Sequence, residues 1–330
     1  MADLAQPLAA RTPWRALAWG TAGLVAIMVG AIAIWTGIPG LQNFLLVFNS
    51  LMIEAAPFVL LGALVSAAIE VFVPATAFER LTRLPEPLQL PASGLAGLAF
   101  PVCECGSVPV ARRLAAKGLS PAAAVTFMLA APILNPIVLV STVVAYRGRD
   151  VMVPMVAGRA VLGLVAAMAV GWVIGGRAPG SILKPRPEDE HHHGEEGTRS
   201  ARFFGHLAGD FSFMARFLVL GAAVAAAMQT FVPQSVLGAI ANTPIVNLAA
   251  MMGLAFVLSL CSESDAFVAA SFVQFGPASQ LAFLVFGPMV DTKLGFLYAA
   301  TFTRGFFRTV VVIVAAVTLV GTLWLEVLLG

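Results

Sequence analysis

The residues best suited to chemistry stand in two short runs. One reads Pro101-Val102-Cys103-Glu104-Cys105-Gly106-Ser107, the other Ser259-Leu260-Cys261-Ser262-Glu263-Ser264-Asp265. Both lie inside long apolar stretches. An ionisable group at the centre of a membrane helix costs at least ~2.5–3.5 kcal/mol, so such groups face a cavity and usually act there. Together the runs hold three thiols (Cys103, Cys105, Cys261), three carboxylates (Glu104, Glu263, Asp265) and the hydroxyls of Ser107, Ser262 and Ser264. Three converging thiols suit a soft ion, because thiolates select soft centres where oxygen ligands select hard ones. A trivalent arsenical or antimonial takes two or three thiolates in a pyramid. A free half-helix N-terminus would favour the thiolate form. The plainer reading is that membrane cysteines pack as small hydrophobes. Cys-x-Cys is not the Cys-x-x-Cys of zinc or redox sites, and no second pair completes four ligands, so neither a resident metal nor a cofactor is expected.

Other polar residues fall in apolar surroundings. Asn135 in Pro132-Ile133-Leu134-Asn135-Pro136 and Asp291 in Pro288-Met289-Val290-Asp291-Thr292-Lys293 sit where prolines break a helix. Unwound backbone there exposes carbonyls that suit cations. Asp291 could pair with Lys293 or carry a proton. Glu54 is a candidate coupling or substrate group, and Glu70, sixteen residues on, reads as interfacial. Glu263, Asp265, Asp291, Asn135 and Glu54 form the candidate coupling set; Cys103, Cys105, Cys261, Glu104, Ser107, Ser262 and Ser264 form the candidate substrate set. Arg159 and Arg216 either balance buried acids or attract an anion. Met251, Met252 and the phenylalanines read as packing or lipid-facing surface.

The elements that must position these groups follow from composition. Of 330 residues only 19 are Lys or Arg and 17 Asp or Glu, 59% are hydrophobic, and mean hydropathy is +0.93. Soluble domains are nearer 25% charged, which excludes a soluble enzyme, a disordered chain and a nucleic-acid module. Apolar windows near 14–38, 43–73, 91–111, 119–146, 151–175, 206–232, 244–275, 278–303 and 306–329 are each long enough for a membrane element. In lipid they must be helices, and the breaks at Pro101, Pro109, Pro132, Pro136 and Pro288 require protein or a watery cavity around them. No cleavable leader is evident, and 14–38 reads as a first membrane helix. The polar stretch 176–205, with His191-His192-His193 among acids, reads as a solvated linker without fixed structure.

The chain repeats itself. Residues 54–74 align without gaps on 213–233 with eleven of twenty-one identities, including Phe58 with Phe217 and Gly62 with Gly221. Further on, 100–107 aligns with 258–265, placing Cys103 on Cys261, and 131–136 aligns with 287–292, placing Asn135 on Asp291. If 91–111 dips in and returns, Arg112, Arg113 and Lys117 stay on the cytoplasmic side, as the positive-inside tendency favours. Fourteen of the nineteen basic residues are then cytoplasmic, as are the N-terminus and the linker. The expected fold is an all-α polytopic membrane protein of two inverted repeats. Each repeat has three spanning helices and one re-entrant, broken-helix hairpin, and an extra helix precedes them. The expected division is 1–42 tail and first helix, 43–175 first repeat, 176–205 linker and 206–330 second repeat. Nine plain spans are the alternative. Inverted repeats with broken helices meeting at the midplane are a secondary-transporter architecture.

At the Cys-Glu-Cys-Gly tip, the Pro-x-x-Asn-Pro break and the later Gly-Pro-Met-x-Asp-x-Lys, the sequence resembles the ArsP/YraQ-type predicted permeases. The resemblance covers about 43–303. That family has a Cys-x-Cys-Gly-type motif in a two-repeat membrane protein, and some members export trivalent organoarsenicals such as methylarsenite. It implies that Cys103, Cys105 and Cys261 form a metalloid site. The leading expectation is a cytoplasmic-membrane permease for a small thiophilic solute, an efflux protein conferring arsenical resistance by proton coupling. No Gly-x-x-x-x-Gly-Lys-Ser/Thr loop is present, so energy comes from a gradient or a separate energising or accessory subunit. The expected partners are a small-molecule or metalloid substrate and the bilayer, with no nucleic acid. Two alternatives stand beside it: a transmembrane thiol–disulfide electron relay, which is an enzyme, and a carrier or channel for a sulfur-containing anion with Arg216 as counter-ion.

Overall fold

The computed structural model describes residues 39–74, 85–100, 102–175, 182–184, 198–231 and 244–329. The expected helix at 14–38, the basic pair Arg80 and Arg83, and the run His191–His193 lie outside the described residues. Every apolar window from 43 onward is helical. In chain order the helices are α1 (Pro39–Phe72), α2 (Glu86–Leu95, continued by a 3-10 turn over Ala96–Leu98), α3 (Glu104–Ala116), α4 (Pro121–Leu134), α5 (Pro136–Ala145) and α6 (Met152–Gly175). The rest are α7 (Arg199–Phe231), α8 (Pro244–Leu258), α9 (Asp265–Ser271), α10 (Pro277–Phe286), α11 (Thr292–Thr301) and α12 (Arg304–Leu329). α7 begins inside the stretch expected to be linker.

Among the described residues, five elements are long and apolar enough to cross a membrane: Pro39–Phe72, Pro121–Ala145, Met152–Gly175, Arg199–Thr230 and Arg304–Val327. The remaining described apolar helices are shorter, because the chain leaves helix at 99–100, 102–103, 259–264 and 287–291. The outside of the bundle is apolar, with Leu46, Ile53, Val161, Trp172, Val312 and Trp324 exposed. The inside holds Glu104, Arg159, Asp265, Asp291 and Lys293, all at most 2% exposed. That reversal is what a bilayer solvent demands. Met251 and Met252 are buried packing residues.

Local sequence sets the helix starts. Proline opens α4, α5, α8 and α10, where its missing N–H costs nothing. Ser120 caps α4 by accepting from Ala123 N at 3.3 Å. α1 runs beside α7 and meets α3 through a glycine pair: a Cβ on Gly62 would stand 2.4 Å from Gly106 Cα. Ser120, the cap of α4, donates its Oγ to Gln89 Oε1 on α2 at 2.9 Å. α2 and α3 both pack on α4. An apolar cavity of about 190 Å³ lies between them, lined among others by Ser93, Ala96, Val110 and Leu114. Beyond α5, Arg149 donates to Ala270 O at 3.1 Å, and Tyr146 Oη donates to Gln280 Oε1 at 2.8 Å. The ends of α5 and α9 and the start of α10 therefore meet at the far end of the α4–α5 span from Gln89 and Ser120.

Residues 182–184 correct the expectation of a wholly unstructured linker. Leu183 forms an isolated antiparallel bridge with Phe302. Lys184 N donates to Thr301 O and Thr303 N to Ile182 O, while Arg112 donates to Lys184 O.

Candidate functional site

The first tip is the start of α3. Cys103 is its N-cap, in extended backbone, and its Sγ accepts from Gly106 N at 3.4 Å. Glu104 and Cys105 follow as the first helical residues. Pro109 in this helix has no N–H for the Cys105 carbonyl, which loosens the first turn. The second tip follows α8. Ser259 takes a φ of 48°, a left-handed conformation rare outside glycine, and this turns the chain inward. Its hydroxyl accepts from Thr292 N at 3.0 Å, and Thr292 Oγ1 donates to Phe256 O at 2.8 Å. The second tip is thereby pinned to the start of α11. Asp291 caps that helix, its Oδ1 accepting from Leu294 N at 2.6 Å.

The two tips meet. Ser262 Oγ donates to Glu104 Oε2 at 3.0 Å and stands 3.5 Å from Glu263 Oε2. Lys293 Nζ lies 3.7 Å from Glu104 Oε1, 3.8 Å from Asp291 Oδ2 and 3.9 Å from Cys261 Sγ. Neither of those two carboxylate oxygens receives a hydrogen bond, so the ammonium is held among them by charge. Cys261 is within electrostatic reach of Cys103 and of Cys105. All three thiols are free and buried. Among the described residues, no three His, Cys, Asp or Glu side chains are arranged to hold a metal ion, so the sulfurs do not form a ready-made three-ligand set. Ser264 Oγ hydrogen-bonds Glu54 Oε1, which brings α1 to the same place.

Asp265 is engaged differently. Arg159 grips it with both guanidinium nitrogens at 2.8 and 2.7 Å, and also reaches Thr142 Oγ1 and Ser262 O. With both side chains buried, this pair ties α6 to the second tip. Of the two roles weighed for Arg159, the structure shows it balancing a buried acid.

The sequence-derived set divides accordingly. Cys103, Cys105, Cys261, Glu104, Ser262, Glu263 and Asp291 gather in one buried neighbourhood, joined by Ser264 and Glu54. Ser107 donates to Glu104 O within its own helix, and Asn135 caps α5 by accepting from Ile137 N. Arg216 is exposed, bonded to Ser212 O and stacked over Phe213, and so does not serve as a counter-ion at the tips. Lys293 at the centre was visible in the sequence only as a partner for Asp291. The sharper signal was its alignment on Ile137, a charge where the first half has an aliphatic residue. A second polar group also went unread: Arg113 stands 3.7 Å from Glu70 and 3.6 Å from Asp210, with His206 and Ser66 beside it. Its signal was His206 and Asp210 one helical turn apart.

Residues 40–326 match a family model described as Predicted permease. The UPF0718 protein YcgR of Bacillus subtilis is 40% identical over 281 residues, 84% of this chain and 95% of that protein. A Streptococcus mutans protein named Putative two-component membrane permease complex subunit is 35% identical over 268 residues, 79% of this chain and 88% of that protein. No solved structure matches the chain.

Proposed function

The chain belongs to the ArsP_1 family of predicted permeases and is a multi-pass membrane protein; from that premise we propose that it exports a small thiophilic solute, a trivalent organoarsenical, through the space where the two tips meet. The observation that carries this reading is the buried meeting of three free thiols with Lys293, Glu104 and Asp291. A methylarsenite-like cargo carries two exchangeable hydroxides on arsenic. Each As–O bond is replaced by an As–S bond, and each hydroxide leaves with a thiol proton as water. Two of the three thiols suffice, and the tips draw together to supply them. Glu104, Glu263 and Asp291 are the groups that take up and release the coupling proton. Lys293 offsets their charge in the unloaded carrier.

Inverted repeats are part of the proposal. Glu104 and Ser262 occupy aligned positions and hydrogen-bond to each other, as residues near a pseudo-two-fold axis would. The first hairpin closes at one end of the α4–α5 span and α9 ends at the other, which favours entry from opposite faces. Arg112, Lys184 and the α11–α12 junction share one end, so that end is assigned to the cytoplasm with the N-terminus and linker. A single cysteine placed at residue 190 in a cysteine-free background should be closed to impermeant maleimide in intact cells; ready labelling reverses the orientation. The Streptococcus relative is named a subunit of a two-component complex, which supports an accessory subunit here as well.

The test is growth. Cells making the protein should tolerate methylarsenite, and Cys103→Ser combined with Cys261→Ser, which leaves a single thiol, should remove the gain. Equal tolerance with and without the protein dismisses the arsenical cargo. Lys293 favours a second reading, a carrier for a sulfur-containing anion, because it places a buried cation among the thiols. Labelled thiosulfate entering vesicles in a Lys293-dependent way would select it. The redox relay has less support, since all three thiols share one buried place rather than offering a pair to each face.

A further inference from the structure

The base of α3, away from the tips, holds a polar network that the transport chemistry does not use. Arg113 Nη2 is 3.2 Å from His206 Nδ1 and 3.6 Å from Asp210 Oδ2, and Nη1 is 3.7 Å from Glu70 Oε2. Ser66 Oγ donates to Asp210 Oδ2 at 2.6 Å. Lys117 Nζ donates to the carbonyls of Glu70 and Val73 at 2.8 and 2.7 Å. These bonds join α3 to both α1 and α7. His206 is 6% exposed and Asp210 2%.

Arginine always donates, so the His206 Nδ1 it faces must be a bare acceptor. The network as built therefore needs a neutral imidazole with its proton on Nε2. The charged groups joined in this network are Arg113 and Lys117 on α3, Glu70 on α1 and Asp210 on the helix of His206. A proton on Nδ1 sets N–H against N–H, adds a positive charge beside the Arg113 guanidinium, and makes Asp210, one turn along α7, a partner for the imidazolium. Arg113 then loses two of its three contacts. The apolar cavity of about 190 Å³ beside α3 is lined by Val110 and Leu114, so this helix is not close-packed along its whole length and its base has room to shift once the bonds are lost.

We propose that His206 is a proton-binding site whose occupancy unlatches the base of α3 from α1 and α7. Cys103 caps the opposite end of the same helix, so the latch sets how freely the first tip moves. The inference does not depend on the cargo.

The experiment is hydrogen–deuterium exchange on purified protein in nanodiscs, without substrate. Amides of 107–117 are followed from about pH 8 to about pH 5, either side of the ordinary imidazole value near 6.5, with intrinsic rates corrected. Protection of α3 should fall about tenfold or more on acidification, as expected when a local unit opens. His206→Asn keeps an acceptor and cannot take the proton, so its α3 should stay protected throughout. His206→Lys should be open throughout. Flat protection in the unsubstituted protein, or an unchanged acid response in His206→Asn, overturns the proposal. If the variants do not fold, nitrogen NMR of histidine-labelled protein with the three linker histidines changed to Gln decides. The Nε2–H tautomer at about pH 8 supports the latch, and an Nδ1–H tautomer or imidazolium there overturns it.

Discussion

The breaks at Asn135 and Asp291 occupy aligned positions and use one backbone device. Each residue leaves the helix, turns extended, and caps the following helix with its own side-chain oxygen, Asn135 to Ile137 N and Asp291 to Leu294 N. Two residues on, the halves part. Ile137 is 50% exposed on the apolar outside, while Lys293 is 1% exposed and faces Glu104 and Asp291. The tips show the same divergence: Ser107 bonds within its own helix, while the aligned Asp265 is gripped by Arg159. The repeat supplies the same bends twice, and at these two aligned pairs, Ile137 with Lys293 and Ser107 with Asp265, only the second copy carries charge. The site is therefore built from a difference between halves that share their scaffold.

The largest effect should come where the scaffold itself is tightest. Gly62→Val on α1 and its repeat partner Gly221→Val on α7 each drive a side chain into backbone, at Gly106 Cα and at Lys293 Cα, where a Cβ would stand 2.4 and 2.7 Å away. Both should exceed the ~1–3 kcal/mol usual for overpacking, since backbone cannot repack, and should leave little folded protein by size-exclusion chromatography in detergent. Gly40→Val, with nothing within 4 Å of its Cβ position, is the control. Normal yield of Gly62→Val would mean that α1 and α3 do not pack this closely.

Next in size is the contrast between the tips. Asp265→Asn strands a buried guanidinium and should cost roughly 3–5 kcal/mol, read as a fall in thermal midpoint. Ser107→Ala removes one hydroxyl bond to its own helix and should cost about 1 kcal/mol or less. Equal costs would erase the asymmetry. Smallest is the contrast between the breaks. Asn135→Ala should lose a cap, about 1 kcal/mol. Asp291→Ala should lose the same cap and a partner of Lys293, and a double-mutant cycle with Lys293→Met isolates that excess. A coupling energy near zero would make Lys293 indifferent to Asp291.

Much of this was legible from residues alone. Apolar runs of bilayer length gave the helices, and the alignment of Cys103 on Cys261 and Asn135 on Asp291 pointed to the parts that meet or match. Of the prolines expected to break helices, Pro136 and Pro288 do so. Pro109 and Pro132 stay inside α3 and α4, because one lost backbone bond does not end a packed helix, and the break at 259–264 has no proline. What stayed hidden depends on which way a side chain turns. Nothing in the spacing of Ser107 or Asn135 says that each spends its polar atom on its own helix. Arg159 and Asp265 are 106 residues apart and become partners only through packing. Arg113, Glu70 and His206 resemble ordinary interfacial charges until three helices place them together.

The short stretch Ile182–Lys184 touches both halves at once: it pairs with Phe302 where α11 gives way to α12, and its Lys184 carbonyl holds Arg112 on α3. A strap fastened at both sides limits how far the two halves can separate at that face, and at the far end Arg149 and Tyr146 tie the first half to Ala270 and Gln280 in the second.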